Sequence, residues 1–165
     1  MYFWGDEKTK KFLLGVVDLC CELKIDAVAG QILSGSVMAT SIITLAMTRD
    51  MEIRGIFLKK SGGLYVPAKH GSETKEIFCY ANDVKRVMIV DDIVITGDSM
   101  ISSAEEILSH KSFRNIVAFV SGGGWPNGSL KRVVEKHPKS LFFGYGFNYK
   151  LLEYTKEEFH GPLDS

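Results

Sequence analysis

Between Thr9 and Lys24 the apolar residues Phe12, Leu13, Val16, Val17, Leu19, Cys20 and Leu23 recur at spacings of three and four, the pattern of a helix with one buried face. Asp26 to Ala29 is short and apolar and predicts a strand. Gly30 to Gly35 reads as a turn, and Ser36 to Thr48 resumes helical spacing through Val37, Ile42, Leu45 and Ala46. Ile53 to Leu58 predicts a second strand. Lys59 to Lys75 is rich in glycine and lacks periodicity, so it reads as a long loop or a loose hairpin, a feature uncommon in compact domains without a task.

The second half repeats the alternation. Val87 to Val90 is a continuous apolar run, as expected of a strand covered on both faces. Ser99 or Asp98 caps a helix over Met100 to His110, with Ile101, Ala104, Ile107 and Leu108 inward and Glu105 and Glu106 outward. Asn115 to Val120 predicts a strand, Asn127 to Lys136 a short helix and Ser140 to Gly144 a last strand. Strands alternating with helices predict an α/β fold, a parallel sheet flanked by helices in a Rossmann-like core. With 165 residues and no linker, the chain reads as one domain over 1–165. The tail after Tyr145 is compatible with a hood strand, a dimer arm or a frayed end.

Composition narrows the class. Twenty Lys and Arg balance twenty Asp and Glu, so no overall positive field exists to gather nucleic acid or an anionic membrane. The segment from Ala27 to Thr48 is 22 residues without a charge, but Gln31, two glycines and six Ser or Thr interrupt it, and it reads as strand, turn and buried helix. Met1 to Lys11 is charged and shows no leader pattern. Cys20, Cys21 and Cys79 are an odd count with a vicinal pair, which points to a reducing, cytoplasmic setting, and no histidine stands at ligand spacing from them. Cys20 and Cys21 read as helix packing. The aromatic groups Tyr2, Phe3, Trp4 and Phe142, Phe143, Tyr145, Phe147, Tyr149 suit a core or a dimer surface better than a stacking platform.

Ligands of open α/β sheets bind beyond the carboxyl ends of the strands, which directs attention to the loops Gly30–Gly35, Lys59–Lys75, Asp91–Ser99 and Ser121–Gly128. The stretch Val87 to Ser99 reads V-M-I-V-D-D-I-V-I-T-G-D-S. A helix start with the hydroxyls of Thr96 and Ser99 and no side chain at Gly97 makes a cradle for a phosphate monoester. Asp91 and Asp92, at the strand tip, are placed to accept hydrogen bonds from sugar hydroxyls or to anchor hydrated Mg2+. Acid pairs at strand ends also serve other chemistries; the whole string is more specific than the pair.

That string resembles the phosphoribosyl pyrophosphate signature of type I phosphoribosyltransferases, with twelve of thirteen positions fitting and Ile95 the exception. Ala29 to Gly35, with Gln31, Ser34 and Gly35, looks like the pyrophosphate loop of that family. Phe57-Leu58-Lys59-Lys60 and the loop through Lys69-His70-Gly71 look like the mobile basic loop of its orotate branch. The resemblance covers Asp26 to Val120.

It implies transfer of a phosphoribosyl group from phosphoribosyl pyrophosphate to a ring nitrogen of a small base, with Mg2+ as cofactor. Asp91 and Asp92 would hold the ribose hydroxyls and metal-bound water. Thr96, Gly97, Asp98 and Ser99 would hold the 5′-phosphate, with Ile95 beside them in the loop. Lys59, Lys60, Lys69 and His70 would close over pyrophosphate, unless the lysines are ordinary solvated side chains. It also implies a homodimer and a reduced hood. Ile95 cannot act as the general base that the 6-oxopurine branch carries there, and no arginine follows the strand ending at Val120, so the base stays unassigned. A regulatory protein that binds phosphoribosyl pyrophosphate or a nucleotide is the rival reading.

Overall fold

The computed structural model describes residues 6–61, 64–67, 84–110, 115–126, 128–145 and 151–154. Helix α1 spans Glu7–Glu22, capped by Asp6, whose carboxylate accepts the Thr9 N–H over 2.6 Å. Then follow β1 (Ala27–Gln31), α2 (Ser34–Met47), β2 (Arg54–Ser61), β3 (Leu64–Pro67), β4 (Arg86–Asp91), α3 (Asp98–Ser109), β5 (Asn115–Ser121), α4 (Ser129–Lys136), β6 (Leu141–Tyr145) and β7 (Leu151–Glu153).

The strands form one seven-stranded sheet in the order β3-β2-β1-β4-β5-β6-β7. The five inner strands are parallel, and β3 and β7 are antiparallel edges. The parallel core matches the sequence reading. At the edges, the hairpin alternative for the stretch after Lys59 is the one its described start takes, β2 pairing with β3, and part of the tail after Tyr145 adds a strand to this sheet and not to a hood. Among the described residues no element stands apart from the sheet as a hood.

Two apolar layers sandwich the sheet, as its both-sided burial requires. On one face Ala27, Ala29, Val87, Ile89 and Phe119 meet Met100, Ala104 and Ile107 of α3 and Val133 of α4. On the other, Val28, Met88, Val90 and Val120 meet Val16, Val17 and Cys20 of α1 and Met38 and Ile42 of α2. Strand alternation divides each strand between the layers. In β5 the count breaks: Val87 pairs with Ile116 and Met88 with Ala118, so Val117 is an inserted residue and forms a bulge. Asp26 fastens the start of β1 to β4, its Oδ2 accepting the N–H groups of Lys85 and Arg86 at 2.8 and 2.9 Å.

The aromatics of β6 are core, as expected. Phe142 stacks on Phe119 at 5.5 Å, and Tyr145 meets the edge of Phe12 at 5.0 Å. Tyr2, Phe3, Trp4, Cys79, Phe147 and Tyr149 lie outside the described residues. Cys20 is buried, and burial, with Cys21 beside it, pushes its thiol up to about 12, which makes it inert. Cys21 is exposed, not packed as its neighbour is. No described helix is long and apolar enough to cross a membrane.

Candidate functional site

Strand β1 runs through Gly30 and Gln31, residues the sequence had suggested for a turn, and α2 already begins at Ser34. Contact between main chains explains the difference. A Cβ at Gly30 would lie 2.1 Å from the Gly35 carbonyl oxygen, so only a residue without a side chain at 30 allows the helix start to sit against the strand end. The turn shrinks to Ile32 and Leu33, whose peptide bond is cis. Both side chains are exposed. Gln31 is buried, and its Nε2 donates to the Ser103 hydroxyl of α3 over 2.8 Å. Gly35 presses on the next strand: a Cβ there would be 3.0 Å from the Val90 oxygen and 3.3 Å from Asp91 Oδ1.

Asp91 ends β4, and only 6% of it is exposed. Its Oδ1 accepts the Asp92 N–H at 3.0 Å, and Asp92 Oδ1 accepts the Ile93 N–H at 2.8 Å. Burial, reinforced by the neighbouring Asp92, pushes the Asp91 carboxyl up to about 7. The pair therefore combines one carboxyl that is close to half protonated at neutral pH with a more accessible one. The residue after β5 sits beside the strand end, Gly122 N–H donating to the Asp91 carbonyl at 2.8 Å. The Trp125 indole N–H is used by the Phe143 carbonyl at 2.8 Å, so that ring is anchored to the sheet.

After the acid pair the chain reaches α3 through Gly97. This glycine, not Ser99 or Asp98, is the cap residue, at φ +81°, and the helix has no side-chain cap. A Cβ at Gly97 would stand 2.7 Å from Val133 Cγ2 and 3.0 Å from the Ser129 oxygen, so α4 packs directly on the loop. Asp98 is the first helical residue and forms an ion pair with Arg132 of α4. The same guanidinium donates to the Thr96 carbonyl at 3.3 Å.

Lys60, Ile93, Ile95, Thr96, Asp98, Ser99 and Ser102 line an open cleft of about 390 Å³. The structure thus gathers Ile95, Thr96, Asp98, Ser99 and Lys60 around one space, with Gly97 as the hinge of the loop and the acid pair immediately before it. Lys59 is exposed and precedes Lys60 on β2, so strand alternation turns it to the opposite face. Ser34 and Gly35 belong to the start of α2 beside Asp91, while the Gln31 side chain is engaged by Ser103. Lys69 and His70 lie outside the described residues. Sequence reasoning overlooked Ser102, one turn after Ser99 and so legible from helical spacing, and Arg132, which no local pattern marks. Among the described residues no three His, Cys, Asp or Glu side chains come together as a metal cage.

Neither a protein-family model nor a curated protein sequence matches this chain. Solved structures do. Orotate phosphoribosyltransferase from Francisella tularensis superposes with a TM-score of 0.56 at 15% identity, covering 84% of this chain and 64% of that one. The orotate phosphoribosyltransferase of Aeropyrum pernix gives 0.55 at 16% identity, covering 88% and 72%. The chain has the type I phosphoribosyltransferase fold. The adenine phosphoribosyltransferase of Trypanosoma brucei, solved with AMP, pyrophosphate and ribose-5-phosphate, shares that fold with a TM-score of 0.55 at 14% identity, over 76% of this chain and 56% of that one. The present chain spans about two thirds of the length of the Francisella enzyme. In this phosphoribosyltransferase fold, the acid pair and the loop through Thr96 and Gly97 follow the carboxyl end of the parallel strand β4, where such sheets bind ligands.

Proposed function

We propose that the chain is a phosphoribosyltransferase that transfers the phosphoribosyl group of phosphoribosyl pyrophosphate to a nitrogen of a small heterocyclic base and releases pyrophosphate. The observation that carries this reading is the arrangement, in this fold, of the 96–99 helix start and Lys60 about one cleft, with Asp91 and Asp92 at the strand end immediately before the loop that lines it.

The reaction separates charge: the ribose becomes cationic as the diphosphate leaves. Thr96, Ser99 and the free N–H groups of the first turn of α3 hold the 5′-phosphate. Asp92, the more accessible acid, accepts a ribose hydroxyl, and Asp91 supports it from the strand. Lys60 stands across the cleft, where it offsets negative charge on the diphosphate. The residues of the turn between β1 and α2 offer main-chain groups beside the same acids. Lys59, Lys69 and His70 join the reading as cations of the hairpin region, and Gln31 and Ser103 as the tie that holds the two loops in register.

Among the described residues the two hard carboxylate donors have no third beside them, a set that fits Mg2+ held mainly by water and substrate oxygens, with Asp91 and Asp92 reaching it through water. Bound there, the metal supplies charge neutralisation to the diphosphate. The proposal further takes 1–165 as one domain that works in the cytoplasm as a homodimer, with no membrane or nucleic acid as partner.

Ile95 favours a second reading. It is 75% exposed at the cleft and brings no proton acceptor to the place where a base would sit. The alternative is a regulatory protein that binds phosphoribosyl pyrophosphate or a nucleotide without turnover. Incubation with Mg2+, phosphoribosyl pyrophosphate and a panel of bases, followed by pyrophosphate release, separates the two. Release with one base and its loss in Asp92→Asn support the enzyme. Background release with every base, while the ligand still raises the melting temperature, overturns it in favour of the binding protein.

A further inference from the structure

A phosphate-type loop that opens its helix with a carboxylate works against itself. Asp98 is the first residue of α3 and lines the cleft. An aspartate there suits the positive end of the helix, but it places a negative charge where a phosphate dianion would be received. Its hydrogen bond to Thr96, with Arg132 alongside, holds the carboxyl below the usual carboxylate range, so the charge persists at neutral pH. Among the described residues, Lys60 and Asp98 are the charged residues that line the cleft, and they sum to zero.

Arg132 changes that sum. One of its terminal nitrogens donates to Asp98 Oδ2 and to the Thr96 carbonyl, both at 3.3 Å, and the other grips Asp98 Oδ1. The bidentate pairing is the geometry in which an arginine and a carboxylate neutralise each other best. The approach of α4 is itself built in, since Gly97 leaves room for Val133, the residue after Arg132, and for Ser129, one turn before it.

We propose that Arg132 is a positioning residue of the phosphate loop: it cancels Asp98, so that Lys60 stands as the uncompensated charge among the described residues lining the cleft when a phosphate dianion arrives. This rests on the reading of residues 96–99 as a phosphate loop. The role belongs to a residue far outside the loop, 34 positions beyond Asp98 in the chain.

The experiment is a calorimetric titration of the whole chain with ribose 5-phosphate at low and high ionic strength. Arg132→Ala should weaken binding about tenfold at low salt and less at high salt, because an unpaired Asp98 then faces the ligand through screened solvent. Asp98→Asn alone should tighten binding. Asp98→Asn combined with Arg132→Ala should return it to within about threefold of the parent, although the bond to the Thr96 carbonyl is also gone. Both side chains are more than half exposed, and such pairs add little to folding, so melting temperatures should stay close to the parent. Parent binding with Arg132→Ala unchanged overturns the inference and leaves the phosphate loop standing. A double variant as weak as Arg132→Ala also overturns it, by assigning the arginine to loop geometry alone. A parent chain that does not bind ribose 5-phosphate overturns the phosphate-loop reading, and the inference with it.

Discussion

The amide of Gln31 and the hydroxyl of Ser103, 72 residues apart, meet at 2.8 Å in the buried space between β1 and α3. Gln31 ends β1, and Ser103 belongs to α3, whose first turn lines the cleft. The bond therefore joins the strand before the Ile32–Leu33 turn to the helix that follows Gly97.

Ser103→Ala leaves the Gln31 N–H group buried without its partner, which costs about 1–3 kcal/mol. Combining it with Gln31→Leu should cost less than the sum of the single changes, because the second removes the orphan. Urea unfolding of the four proteins measures the coupling; strict additivity would show that the bond holds nothing.

Gly30→Ala should be the most damaging small substitution at the site. Its Cβ overlaps main chain at Gly35, which cannot rotate away, so the loss should reach or exceed the ~1–3 kcal/mol typical of overpacking. Gly97→Ala meets a different obstacle, a left-handed φ together with Val133 Cγ2. Val133→Ala in the same chain should recover the steric share and leave the backbone share, a distinction visible in melting temperature.

The buried carboxyl of Asp91 gives stability a pH dependence of unusual sign for an aspartate. Its folded value of about 7 lies above the ordinary 3.8, so the native state binds the extra proton across that window. Its contribution is complete below the ordinary value and disappears as pH climbs through 7, with a slope of up to about 1.4 kcal/mol per pH unit. Urea unfolding from pH 4.5 to 8 should show the parent losing stability relative to Asp91→Asn as pH rises. Parallel curves for the two proteins would remove the premise that Asp91 is held protonated.

The sequence was informative where chemistry is contiguous. Thirteen residues from Val87 to Ser99 contain a buried strand, its terminal acids and a helix start; the strand and acids are where the pattern put them, and the helix starts two residues before Met100, with Gly97 as its cap in place of Ser99 or Asp98. It was less informative where position depends on remote contact. Gly30 reads as a turn former in isolation and becomes a strand residue because Gly35 needs room. Asp98 reads as a phosphate ligand or a cap, and its pairing with Arg132 depends on how α4 settles against the loop. Lys59 and Lys60 look equivalent in the chain, and the pleat of β2 separates them. The edge strand β7 was hidden because three residues hold too little periodicity to declare a strand.

The bulge at Val117 has a bearing on how this chain tolerates change. Val117 and Ala118 together oppose Met88 and both turn to the layer of α1 and α2, so Ile116 before them and Phe119 after them stay on the layer of α3 and α4, each in step with its partner on β4. The extra residue is absorbed where it stands. Deleting Val117 would thus act as a trim and not as a frameshift: Ile116 stays opposite Val87, Ala118 opposite Met88 and Ser121 opposite Asp91, and only the local kink of the strand is lost.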